Sequence, residues 1–174
     1  MTFEIHSDIT NRSMAIASRA MRRVLRRKRS IIWAIFGWTV FFINALLLIP
    51  FDGEPFTLDV TTVTALLVEV MLLSVLLFRD RFNGMITCKN TLAGTKAYHF
   101  VFGEDSYTII TEVVTSTFHY ELIDAMAESR DYMILLMKKR FAQPLDKRTL
   151  TGGTVEEFKR FLEEKTGKTF RRVK

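Results

Sequence analysis

Two long apolar stretches dominate the first half of the chain, and short alternating stretches fill the second. Residues 30–51 carry no charged side chain. The core of that run, 31–50, has 20 residues. As a helix it spans about 30 Å, the thickness of a bilayer's hydrocarbon layer. The second run, 60–78, holds one charge, Glu69, at its centre. Nine residues, 51–59, separate the two, and Asp52-Gly53-Glu54-Pro55 reads as a turn within them. Lipid offers no partners for backbone groups, so both runs are expected to be helical throughout. A secretory signal is the rival reading of the first run. It would have a shorter apolar region and a small-residue cleavage site after it. Residues 30–79 therefore read as a two-helix transmembrane hairpin.

Upstream, Phe3 and Ile5 share one face of a short alternating segment, which predicts a strand. Thr10 or Ser13 can cap a helix after it. Met14, Ala17, Met21, Val24 and Leu25 then recur at helical spacing, with arginines on the other sides. Residues 1–29 thus read as a strand followed by a basic amphipathic juxtamembrane helix.

Downstream, a connector at 80–96 shows no clear period. From Ala97 the alternation is clean. Tyr98, Phe100 and Phe102 share a face, and Gly103 to Ser106 turn the chain. The alternation continues over 107–113, with Tyr107 and Ile109 on one face, and over 117–122, with Phe118, Tyr120 and Leu122 together. Short strands follow at 125–128, 132–137 and 141–145, and Pro144 suits an edge. Gly152-Gly153 breaks the chain before Thr154-Val155-Glu156-Glu157, a capping box that opens a helix. Val155, Phe158, Phe161 and Leu162 form its apolar face, and Gly167 ends it. The domain is expected over 97–166 as an antiparallel meander closed by that helix, with a basic tail at 167–174. The class predicted for the whole chain is membrane α+β.

Charge adds the orientation. The chain has a net charge of +6, and eight of its basic residues lie within 12–29, where there is no acid. Arg79 and Arg81 follow the second run, while 51–59 contains Asp52, Glu54 and Asp59 and no Lys or Arg. The positive-inside rule then puts both termini in the cytoplasm and loop 51–59 outside. Arg22, Arg23, Arg26, Arg27, Lys28 and Arg29 stand closest to the first run. They either contact anionic headgroups, at roughly 1 kcal/mol per residue near the surface, or stay solvated and set topology. No aromatic residue interleaves them, so nucleic acid is not an expected partner. By contrast, 97–166 carries nine basic and twelve acidic residues, a net −3. That balance points the domain toward a protein partner. Cys88 is the single cysteine, so no intramolecular disulfide can form.

A resemblance to a known family rests on an ordered set of short stretches. They are YHFVFGED from Tyr98, TSTFHYELI from Thr115 and ESRDY from Glu128. LDK from Leu145 and GTVEEFKRFL from Gly153 complete the set. With the basic segment and hairpin before them, they resemble the YcxB-like family of bacterial membrane proteins over most of the chain. That resemblance implies a pleckstrin-homology-like cytoplasmic domain, a partly open barrel plugged by its C-terminal helix. It also implies a bacterial inner-membrane setting and no enzyme activity.

Candidate sites are few. Glu69 is the most unusual residue, because a carboxylate at the bilayer centre costs about 2.5–3.5 kcal/mol on insertion scales. Counted from the run ends, Asn44 lies within about 4.5 Å of its depth, so a Glu69–Asn44 hydrogen bond is expected to be within reach. Lys138, Lys139 and Arg140 form a basic turn suited to a headgroup or a partner. His6, His99 and His119 lack metal-ligand spacing, no catalytic constellation stands out, and no cofactor is expected. The function read from the sequence is a membrane-tethered binding or regulatory module without catalytic activity. Its partners are membrane lipids and a protein, with homo-oligomerisation left open. The alternatives are a small transport or permeation component built on an oligomerised hairpin, and an immunity-type protein that protects the membrane against a toxin.

Overall fold

The computed structural model describes residues 2–49, 58–89, 95–137 and 141–173. The element order is β1 (Phe3–Asp8), α1 (Asn11–Val24), α2 (Arg27–Leu47), α3 (Val60–Lys89), β2 (Ala97–Phe102), β3 (Ser106–Ile110) and β4 (Thr115–His119). It continues with β5 (Ile123–Glu128), β6 (Tyr132–Met137), β7 (Phe141–Asp146), α4 (Val155–Thr166) and β8 (Phe170–Arg172). The protein is α+β, with one sheet ordered β1-β2-β3-β4 and another ordered β7-β6-β5-β8.

The strand periods explain the packing. Phe3 and Ile5 of β1 and Phe100 and Phe102 of β2 are all buried, in an antiparallel pair that sets Phe3 opposite Phe102. In β6 every position is buried, because its two faces meet different neighbours. Met133, Leu135 and Met137 enter the core shared by both sheets and α4. Tyr132, Ile134 and Leu136 face the other way, onto Ala17, Ala20 and Met21 of α1. The near-continuous apolar run of this strand is thus the mark of a strand covered on both faces.

Thr154 caps α4 by accepting from the Glu157 amide, and the Glu157 carboxylate accepts from the Thr154 amide in return. Phe158 and Leu162 carry the apolar face of α4 into the core. Gly167 ends the helix at φ 66°, in the left-handed region that suits glycine. Glu128 ties three elements together, since Lys147 and Lys159 donate to its carboxylate at 2.6 and 2.7 Å. Burial pushes the Glu128 carboxyl up, but these bonds and charges outweigh it and hold it below the ordinary carboxylate range.

Several boundaries differ from those read in the sequence. β3 stops at Ile110, because the Thr111 hydroxyl accepts from the Val114 amide and closes a turn. The alternation through Phe118, Tyr120 and Leu122 is split, since 120–122 is a 3-10 turn. Tyr120 stays buried there and donates its hydroxyl to the Gly103 carbonyl at 2.7 Å. The segment read as a basic tail contains β8, which pairs parallel with β5 and makes that sheet mixed. Pro144 does lie on an edge strand.

The largest difference is α3. It does not stop where the apolar run stops but continues through the expected connector to Lys89. Phe78 departs from helical geometry at φ −103° and ψ 16°, at the last residue of the apolar stretch.

Candidate functional site

The richest convergence of charge lies where α1, the start of α2 and the end of α3 meet. Thr10 caps α1 in a reciprocal pair with Ser13, which fixes the helix start. The helix then runs antiparallel to the last part of α3. Gly84 makes this possible, because a Cβ there would sit 2.5 Å from the Ala15 amide nitrogen and 2.7 Å from its Cα. One turn further along, Arg22 grips Asp80 of α3 with two hydrogen bonds, at 2.9 and 2.5 Å, and Arg19 adds a third at 3.3 Å. The Asp80 side chain keeps only 12% of its exposure.

Beside this contact is a cavity of about 380 Å³. Arg22, Arg26, Arg29 and Arg79 line it, and among the described residues no acid does. Trp33, Met21 and Ile86 supply apolar wall, and Asn83 and Thr87 supply polar groups.

The sequence-derived candidates divide. Arg22, Arg26 and Arg29 come together at the cavity, and Arg79 joins them from the other helix. Arg23, Arg27 and Lys28 do not line it. Arg22 is committed to an ion pair inside the protein, an engagement that sequence alone did not reveal. Lys138, Lys139 and Arg140 lie outside the described residues, as do 50–57. Half-buried His99 stacks on His6 at 4.0 Å and meets Glu4 at 3.2 Å. Among the described residues no three metal-ligating side chains gather to hold an ion.

Asn44 and Glu69 occupy matched positions without bonding. A Cβ at Gly37 would come 2.6 Å from the Leu76 side chain of α3, so the two apolar helices pack closely there. Asn44 lies seven residues after Gly37 and Glu69 seven before Leu76. That heptad step returns both side chains to the contact face at the same level, about 10.5 Å along. The expected hydrogen bond is nevertheless not made. The Asn44 amide donates to the Val40 carbonyl of its own helix at 2.9 Å. Both Glu69 carboxyl oxygens are buried and lack a hydrogen-bond partner among the described residues. A single chain therefore gains no bond from Glu69 and bears its desolvation, roughly 1–3 kcal/mol. Glu69→Gln is expected to insert and fold like the parent, and Glu69→Leu to raise thermal stability in detergent. A drop in stability with Leu would mean that a second copy supplies the missing partner.

Fold and site together define a class: an α+β domain built onto two helices long and apolar enough to cross a membrane. Residues 102–162 match the family model described as YcxB-like protein. The match runs from the end of β2 into α4 and does not extend to the apolar helices, so it is narrower than the resemblance read over most of the chain. No curated protein and no solved structure matches the chain.

Proposed function

We propose that the protein is a membrane-tethered binding module that acts without catalysis. In this reading α2 and α3 cross a bacterial inner membrane as a hairpin. The domain and both termini lie in the cytoplasm, and the domain engages a protein partner. The observation that carries the proposal is the uncovered surface of the hairpin. Ile32 is 65% exposed, Phe42 63%, Leu67 66% and Met71 70%, whereas most of the domain's large apolar residues are buried and its exposed ones are few, Ile110, Val113, Val114 and Phe141 among the described residues. An apolar face of this extent needs lipid or protein over it.

Topology supports the orientation. β1 precedes the two apolar helices and β2 follows them, yet the strands pair in one sheet. That pairing favours hairpin termini on one side, with the two helices crossing as a pair. The basic flanks at Arg22–Arg29 and Arg79 favour the cytoplasm as that side. Two four-stranded sheets with α4 packed on their shared core support a pleckstrin-homology-like reading of the domain. β8, following the helix, is an addition to that plan. The net −3 of 97–166 favours a protein over an anionic surface as its main partner. A second reading, a permeation component built on an oligomerised hairpin, draws on the unpartnered Glu69 carboxyl.

Thiol labelling tests the tether. In intact cells, a Gly53→Cys variant lacking Cys88 is expected to react with a membrane-impermeant maleimide. Native Cys88, half-buried on α3, should react only after permeabilisation. Labelling of Gly53→Cys only after permeabilisation would overturn the orientation.

A further inference from the structure

We propose that the cavity between α1, α2 and α3 is a binding site for one anionic phospholipid, held by its phosphodiester headgroup. The inference rests on the membrane reading above and adds to it a defined pocket with a defined ligand class.

Size is the first argument. A cavity of about 380 Å³ exceeds what a bare ion needs and falls within the range of small-molecule sites, roughly 300–1,000 Å³. Charge is the second. Arg22 of α1, Arg29 of α2 and Arg79 of α3 converge with no lining acid among the described residues. Asp80 pairs with Arg22 and Arg19, and Arg29 and Arg79 add their charge beyond that pair. Converging cations repel one another unless an anion joins them. Arginine's planar fork matches phosphate oxygens two at a time, which makes it the residue suited to this task.

Depth is the third argument, and it selects a lipid over a free anion. Ser30 and Arg79 both line the cavity, one at the start of the apolar run at 30–51 and the other just after the run at 60–78. The site therefore lies where headgroups meet acyl chains. Trp33 stands at the same level, where an amphipathic ring suits the interface. With Met21 and Ile86 it offers apolar wall for the glycerol and first methylenes, which inorganic phosphate would not use. No side chain caps the start of α2 at Arg26, so the positive end of that helix adds to the field.

Binding by the full chain in neutral detergent tests the site. Trp38→Phe leaves Trp33 as the single tryptophan, since the chain has two. Its fluorescence is then followed against dihexanoyl phosphatidylglycerol, dihexanoyl phosphatidylcholine and inorganic phosphate. Phosphatidylglycerol is expected to saturate the signal, and the other two to bind much more weakly. Arg29→Gln with Arg79→Gln, two lining residues, should weaken phosphatidylglycerol by about tenfold or more through lost charge-assisted bonds. Arg27→Gln with Lys28→Gln removes the same charge from the same band outside the cavity and should change binding less than about twofold. Equal losses in the two pairs would overturn the pocket. Phosphatidylcholine binding as tightly would overturn the charge argument, and inorganic phosphate binding as tightly would reduce the site to a small-anion site. The parent decides the last two outcomes without any lining variant. Labelling at Gly53 separately reports whether the tether itself has failed.

Discussion

Phe3→Ala is expected to cost about 3–5 kcal/mol, the usual penalty for emptying a buried aromatic site. A typical domain has only 5–15 kcal/mol in total, so urea or thermal unfolding in detergent should show a large shift. The reason is position. Phe3 is 1% exposed and lies between the sheets and α4, with its ring 5.1 Å from Phe158 and 5.3 Å from Phe161. Its strand also bridges the loop after β7, where Glu4 pairs with Thr151. Gly152, next in that loop at φ 91°, has no room for a Cβ against the Thr2 carbonyl. The same geometry means that 97–166 alone should fold poorly. That fragment lacks β1, α1 and β8, and restoring only its expected boundaries would leave Phe102 and Ile134 partly uncovered. A Phe3→Ala chain that melts like the parent would show that β1 is a passive edge.

Gly84→Val should separate α1 from the pair of apolar helices. Overpacking costs about 1–3 kcal/mol in ordinary cores, and more where nothing can move. Here the obstructing atoms are Ala15 backbone, which has no rotamer to change. Hydrogen exchange of the α1 amides is the direct measure, and faster exchange is expected throughout Asn11–Val24. Binding by the cavity should fall in parallel, since α1 and α3 each form part of its wall. Unchanged α1 protection in Gly84→Val would mean that the ion pairs at Asp80 hold the helices without the close contact.

The elements visible in the sequence were those with a period or a punctuation of their own. β2, β6 and α4 declare themselves by alternation, by an apolar run and by a capping box with a terminal glycine. The two apolar helices declare themselves by length. What remained hidden depends on partners distant in sequence. β8 has three residues, two of them arginines, and exists because β5 offers a free edge. The last part of α3, RDRFNGMITCK, has no amphipathic stripe, because one glycine contact and one aspartate hold it to α1. The arginine cluster was legible as charge, but its division into cavity-lining and outward residues was not. That division is set by the break between α1 and α2 at Leu25 and Arg26.

The pairing of β1 with β2 also orders events during synthesis. Ninety-odd residues of chain, including both apolar helices, are made between Ile5 and its partner Phe100. In the proposed topology the N-terminal strand would have to wait, with Phe3 and Ile5 unburied, until the hairpin had been delivered and the chain had returned to the side it left. Completion of the sheet can serve as the cell's proof of insertion. A chain whose second apolar helix failed to return would strand the two halves of one domain on opposite faces of the bilayer. It would expose a sheet edge and two large side chains to proteolysis, so faulty insertion would become a degradation signal.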